Sequence, residues 1–304
     1  MQMKFKAHQS FFIRKGWLSK GLRAVTAQKG ASLLMPSNSK EAMDELGLGS
    51  NQVVALRYWM QTLGLVQYVD GRKRAHELTE LGNIILENDP YTEEVGTLFA
   101  LHCNLASAQE DAAAWYYFFN EFKMSAFIRD DFTRGLTKFV FDHNDKKEIA
   151  LTSLEADFNC ILSTYIPHDR TSRKPVSPEN VIDCPFGDLG LVDIEDRGRK
   201  SYRKTPANLT MLPALLVLYC ICLMQERFDG ASGAEIRLET LVDGPCSPGC
   251  LFNLDSVSLL SKLYELENEG LLRIVRTAGL DVIRLTQPDM SKEECLSRYY
   301  ELIG

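Results

Sequence analysis

Apolar residues recur at helical spacing along most of the chain, and in two places the pattern changes to the alternation of a hairpin. The stretch from Ser37 to Glu80 carries the first of these changes. Ser37 or Ser39 is placed to cap a short helix with Ala42, Met43 and Leu46 inward, and Gly47 and Gly49 stop it. Ser50 or Asn51 then caps a second helix running to about Gly64, with Val53, Leu56, Met60 and Leu63 on its core face. Its opposite face carries Asn51, Ala55, Tyr58 and Thr62, with Arg57 on the flank. These groups suit the reading or bracing of a DNA groove. Leu65 to Val69 alternates, Asp70-Gly71-Arg72-Lys73-Arg74 turns, and a return strand ends at Leu78-Thr79. With a first helix over 16–31, this is the plan of a winged helix-turn-helix whose wing tip is basic.

Helical periodicity continues beyond the break at Asp89-Pro90. From Tyr91 to about Ile166 three apolar faces follow one another: Val95, Leu98, Phe99 and His102; Trp115, Phe118, Phe119 and Phe122; then Leu154, Phe158, Ile161, Leu162 and Tyr165. His102 on such a face is expected to be a hydrogen-bonded structural histidine. Asp130-Asp131 and the run Asp142 to Asp145 read as capping and loop residues. Residues 167–208 have five prolines and no period, so an irregular region with an exposed loop is expected there. From Leu212 the helix-and-hairpin plan returns, with helices near 213–226, 234–242 and 255–268 and a hairpin over 271–285. The fold class expected is mainly α: an N-terminal winged helix-turn-helix over 1–88, a central helical domain over 89–208 and a C-terminal winged-helix-like unit over 209–304.

Charge sharpens this picture. The 304 residues carry a net charge of −7, but residues 1–80 hold 12 Lys+Arg against 6 Asp+Glu, a net of +6, which leaves −13 on the rest. A basic module on an acidic body points to one local DNA-facing surface and to protein-facing surfaces elsewhere. Residues 230–304 hold 7 Lys+Arg against 12 Asp+Glu, so an acidic third helix there is expected to pack internally, dimerise or bind a partner. Ahead of the first module, the aromatic and basic run from Phe5 to Leu18 reads as an arm whose rings pack inward. Arg14, Lys15 and, just beyond it, Lys20 are free to meet phosphate or water. The DNA-binding candidates are therefore Asn51, Arg57 and Tyr58 on the helix, Arg72, Lys73 and Arg74 on the wing, and Arg14, Lys15 and Lys20 on the arm.

Candidate chemistry is sparser. Asp183, Asp188, Asp193, Glu195 and Asp196 precede Arg197, Arg199, Lys200, Arg203 and Lys204. Carboxylates that hold Mg²⁺ or Mn²⁺ beside a cation that steadies phosphate are the common means of phosphodiester cleavage, with Asp183 and Asp188 as the candidate pair. The competing reading is a solvated, salt-bridged loop. No HNH-type motif and no PD-(D/E)xK constellation stands out. Eight cysteines without a framework fit a reducing cytoplasm. Cys246 and Cys250 lack the second pair or the histidines that a zinc centre needs. The start lacks the apolar core of a signal peptide, and no apolar run reaches the roughly 20 residues that cross a bilayer, so no membrane role is expected.

The succession HQSFFIRKGWLSKG, LGLGSNQVVALRYWMQTLGLV, LTELGNIILENDPYTEE, AAAWYYFFNEF, VIDCPFGDLGLV and GPCSPGCLFNLD resembles the bacterial domain-of-unknown-function family found beside phosphoadenosine-phosphosulfate-reductase-like DNA sulfur-modification enzymes. The resemblance spans nearly the whole chain. It implies a cytoplasmic component of the single-stranded DNA phosphorothioation system, in which sulfur replaces a non-bridging phosphate oxygen and a DNA nickase opens the strand. The implied partners are double-stranded DNA, a cysteine desulfurase, a phosphoadenosine-phosphosulfate-reductase-like ATP pyrophosphatase and an ATPase. No organic cofactor is implied. A non-catalytic DNA-binding adaptor and a winged-helix transcriptional regulator, the latter as a homodimer on paired half-sites, remain the alternatives.

Overall fold

The computed structural model describes residues 2–27, 30–69, 75–144, 148–167, 184–228, 235–277 and 280–304. Gly16, with φ of 83°, turns the N-terminal arm into helix α1 (Trp17–Thr26), shorter than the expected 16–31. Helix α2 (Ser39–Leu46) ends at Gly47, whose φ of 63° is the left-handed stop that glycine supplies best. Helix α3 (Ser50–Thr62) opens differently from expectation: Gly49 is its cap, and the Gly49 N–H donates to Gln52 Oε1 at 2.9 Å. Asn38 likewise takes the cap position expected of a serine at α2. Strands β1 (Val66–Tyr68) and β2 (His76–Leu78) pair antiparallel with Val66 opposite Leu78 and Tyr68 opposite His76. The basic turn Arg72-Lys73-Arg74 lies outside the described residues. Thr79 caps helix α4 (Glu80–Asn88), its Oγ1 accepting the Gly82 N–H at 3.0 Å. Gly82 lets the helix lie close to the backbone that leads into β1, since a Cβ there would stand 2.2 Å from the Leu65 carbonyl oxygen.

Helix α5 (Val95–Ala106) is covered on all sides, consistent with its nearly unbroken apolar sequence. Helix α6 (Ala113–Tyr116) widens into a π-helical turn over Tyr117–Glu121. Asn120 pins this turn, donating to the Ala106 and Tyr116 carbonyls and accepting the Cys246 N–H. Strand β3 (Ala126–Phe127) leads into α7 (Arg129–His143), where Asp131 accepts the Ile128 N–H at 3.1 Å as the expected cap, and then α8 (Leu151–Tyr165). The irregular region departs from expectation. Val192–Asp196 (β4) and Ser201–Lys204 (β5) form a hairpin that β3 extends to a sheet ordered β3-β5-β4.

Helix α9 (Ala214–Arg227) is the apolar run near Leu212 and is buried over its first eleven residues. The segment expected as a helix near 234 begins instead as strand β6 (Glu235–Arg237), followed by α10 (Leu238–Asp243) and α11 (Pro248–Leu251). Helix α12 (Ser256–Asn268), capped by Asp255, precedes β7 (Leu272–Thr277) and β8 (Leu280–Leu285), and the sheet order is β6-β8-β7. A last helix, α13 (Lys292–Ile303), returns across α9, α4 and α5. Its Tyr300 hydroxyl meets Thr97, and its Tyr299 ring fills the space that a Cβ on Gly96 would take. Buried apolar residues from Met3 to Tyr300 form one connected core. Among the described residues no helix is long and apolar enough to cross a membrane.

Candidate nucleic-acid interface

Helix α3 buries the face expected to be inward: Val53, Leu56, Met60 and Leu63 are at most 2% exposed. Its other face is only partly available. Asn51 is exposed in the first turn, but Ala55 and Thr62 are buried, a correction to the expected groove-facing row. The arm lies against the neighbouring Trp59 on this helix. His8 stacks on Trp59 with centroids 5.9 Å apart, Trp59 Nε1 donates to the Phe11 carbonyl at 3.0 Å, and Trp115 closes edge-on at 5.5 Å. Tyr58 packs against Trp59 at 4.8 Å and its hydroxyl donates to the Asp111 carbonyl at 2.9 Å. Arg57 Nη1 donates to the Leu34 carbonyl at 3.2 Å. The Arg57 charge also reaches the hairpin, where burial and this guanidinium hold His76 below the usual histidine range. The signal that could have shown the covered face is Trp59 itself, an indole that belongs to neither the inward nor the outward row.

The arm cations take three separate positions. Arg14 is buried, its guanidinium 5.5 Å from the Trp17 ring centroid and 5.7 Å from that of Phe11, so it is neither solvated nor laid out for phosphate as expected. Lys15 is exposed and pairs with Glu93 at 2.8 Å. Lys20 donates to the Leu46 carbonyl at 2.8 Å, which caps the C-terminal end of α2. The proposed wing residues Arg72, Lys73 and Arg74 are outside the described residues, but the β1–β2 pair that carries them is in place.

Asp183 lies outside the described residues too. Asp188 is exposed on a turn anchored by the buried Phe186 and Leu189. Its charge adds to that of Glu93 in raising the Lys15 ammonium above its ordinary range, so the fold brings Asp188 to the arm across 173 residues of sequence. On β4 and β5 alternation decides which charges face water. Asp193 and Arg203 pair outward at 2.9 Å and Ser201 donates to Glu195 at 3.2 Å, the salt-bridged arrangement weighed for this segment. Lys204 points the other way, donating to the Phe118 and Phe122 carbonyls with its ammonium 4.7 Å from the Phe118 ring centroid. Burial, with Lys123 nearby, lowers its pKa to about 7.

His102 is the structural histidine expected. Leu251 offers a carbonyl at 2.8 Å from Nε2, and a carbonyl only accepts, so the proton sits on Nε2 and Nδ1 accepts the Tyr165 hydroxyl at 2.8 Å. Burial lowers its pKa to about 4. His8 forms a second buried pair, Nε2 to Asp157 Oδ1 at 2.7 Å, and burial raises the Asp157 carboxyl above the usual range. All eight cysteines are free and buried.

The family described as a protein of unknown function (DUF4007) matches residues 5–300. The chain belongs to this DUF4007 family. Two solved structures are similar to this DUF4007 chain over 98% of its length and 86% of theirs, each at 26% identity. They are a magnesium ion-bound SspB crystal structure, at a TM-score of 0.80, and an SspB crystal structure, at 0.78. No curated protein matches the chain. Magnesium in the first of these structures raises the question of fit. Among the described residues no group of three or more His, Cys, Asp or Glu is placed to hold a metal ion, and the Asp193 carboxylate is already engaged by Arg203. The described residues therefore do not by themselves compose a magnesium site.

Proposed function

We propose that this DUF4007 protein is the DNA-binding component of a bacterial DNA phosphorothioation system and that it nicks duplex DNA for that system. The observation that carries the reading is the full-length likeness to SspB at a TM-score of 0.80. Helices α2 and α3 followed by the β1–β2 hairpin support an N-terminal winged helix-turn-helix over 1–88, with a central helical domain over 89–208 and a winged-helix-like unit over 209–304. In this reading Asn51, in the first turn of α3, meets the groove, while Arg72, Lys73 and Arg74 run along phosphates. Arg57 and Tyr58 act one step back, since their polar ends are tied to Leu34 and Asp111 and so hold the helix at a fixed angle. Lys15 and Lys20 line the arm side, and Arg14 keeps the arm folded. Asp188, whose charge reaches Lys15, and Asp183 are the carboxylates assigned to cleavage. Partners in the proposed setting are the sulfur-transfer enzymes: a cysteine desulfurase, an ATP pyrophosphatase and an ATPase.

The binding half of this reading is tested by fluorescence anisotropy of a labelled duplex over a range of salt. Reversing Arg72, Lys73 and Arg74 to glutamate is expected to weaken binding and to make the log–log salt slope shallower by about 3, since each phosphate contact contributes a slope of about 0.9. Asn51→Ala is expected to lower affinity with the slope unchanged, as a groove contact releases no counterions. Wild-type affinity and slope in the wing variant would remove this docking mode.

A further inference from the structure

Strand pairing sorts the charges of the C-terminal unit onto two sides. In the sheet ordered β6-β8-β7, Ile236, Ile283 and Ile274 form one row, and Leu272 opposite Leu285 another; these face α10 and α12. The alternate positions face water in two rows, Glu235, Arg284 and Arg273, then Arg237, Val282 and Val275. All three arginines are exposed. Five of the twelve acids in residues 230–304 belong to the helices that pack on the sheet, Glu239 and Asp243 on α10 and Glu265, Glu267 and Glu269 on α12 or at its end. Two of these are engaged there: Glu265 by the buried Lys262 at 2.9 Å, and Glu267 by the Ile274 N–H at 2.7 Å. The acidic total of this unit thus hides a cationic sheet face.

Arg273 stands directly opposite Arg284 across the β7–β8 pair, and like charges so placed destabilise a sheet. Glu235 relieves only one of them, accepting Arg284 Nε at 3.1 Å and Nη2 as well. Among the described residues, Arg273 and Arg237 make no ion pair. An anion laid across the two rows would relieve the repulsion. Protein partners dock on aromatic and apolar anchors seated in pockets, whereas the only apolar side chains in these rows are Val282 and Val275, both half-buried. Planar guanidinium forks on a flat face fit phosphate oxygens.

We propose that the solvent face of the β6-β8-β7 sheet is a second DNA-backbone contact, made by Arg237 and Arg273 with Arg284 beside them. It rests on the DNA-binding reading above and adds a surface at the opposite end of the chain from α3. The duplex is held at two places, by the N-terminal module in its groove and by this sheet on its phosphates.

The test is duplex binding by the full chain, comparing wild type, Arg237→Ala/Arg273→Ala, Arg237→Lys/Arg273→Lys and the wing reversal, with thermal melts to establish folding. Both sheet positions are exposed, so melts close to wild type are expected. The alanine pair should lower the salt slope by about 2, so that wild type loses about tenfold more affinity than this variant between 50 and 200 mM salt. The lysine pair keeps the charge and should keep the slope. A wild-type slope in the alanine pair, with the wing variant weakened, overturns the sheet contact alone. Absence of salt-dependent binding by wild type overturns the DNA-binding reading itself. Loss of binding to a poly-glutamate peptide with duplex binding intact reassigns the face to an acidic protein partner and overturns the proposal.

Discussion

Trp59→Ala is expected to cost about 3–5 kcal/mol of stability, the range for deleting a fully buried tryptophan. Trp59 is 0% exposed and is shared by three segments distant in sequence. The arm reaches it through His8 and Phe11, α6 through Trp115, and α3 supplies it. The loss is therefore both a cavity and the release of the arm, because the Phe11 carbonyl loses the indole N–H at 3.0 Å. Denaturant melts give the first quantity. Limited trypsin digestion gives the second, since Lys15 and Lys20 are exposed in or next to the arm and cleavage there should quicken well before global unfolding. Trp59→Phe, which keeps most of the apolar volume but has no N–H for the Phe11 carbonyl, should lose less stability while still exposing the arm to cleavage. A loss below about 1 kcal/mol in Trp59→Ala, the scale of an ordinary surface change, would show that the three segments are not held together at this ring.

His102 is expected to make the fold sensitive to acid. Its pKa is about 4 in the fold against 6.5 for a free imidazole, so between those values the unfolded chain binds the extra proton. Stability rises with pH across this window, and the contribution is lost as pH falls from 6.5 towards 4. The shift corresponds to about 3 kcal/mol at 1.36 kcal/mol per pKa unit. The geometry explains the cost. A second proton must go on Nδ1, where the Tyr165 hydroxyl now donates, in a pocket formed by Phe119, Tyr165 and Phe252. His102→Gln should be less stable at neutral pH, through the imperfectly replaced hydrogen bonds, and should have a flatter acid limb than wild type. The direct check is NMR titration of the His102 ring, which should stay neutral at pH 5.5. A midpoint near 6.5 would contradict it.

Much of the N-terminal third was legible because its signals are local. The glycine stop at Gly47, the apolar spacing of Val53, Leu56, Met60 and Leu63, and the paired runs around Asp70-Gly71 each involve residues a few positions apart. What was not legible depends on distant neighbours. The second face of α3 is polar enough to look solvated, yet the arm and the segment from Asp111 to Trp115 pack against it. Strand β6 has three residues and no period of its own; it exists because Ile236 pairs with Ile283, 47 positions later. The β4–β5 hairpin was obscured by its charges, although Val192, Asp193, Ile194 and Glu195 alternate as a strand should. Arg203 and Lys204 look equivalent in sequence, yet strand alternation sends one to Asp193 in water and the other among the carbonyls of Phe118 and Phe122. The candidate site followed the same division. The β1–β2 pair could be read from sequence, whereas the charge coupling of Asp188 to Lys15 and the arginine face of the last sheet are products of tertiary pairing.

The central claim is that this DUF4007 protein holds duplex DNA and cuts one strand. A plasmid-nicking assay with the purified full chain in Mg²⁺ or Mn²⁺ tests it most directly, run beside Asp183→Ala/Asp188→Ala and the Arg72, Lys73 and Arg74 reversal. The account predicts conversion of supercoiled plasmid to open circle, stopped by chelator and lost in both variants. Salt-sensitive DNA binding by wild type with no open-circle product under any metal would contradict the claim and leave a non-catalytic adaptor in its place.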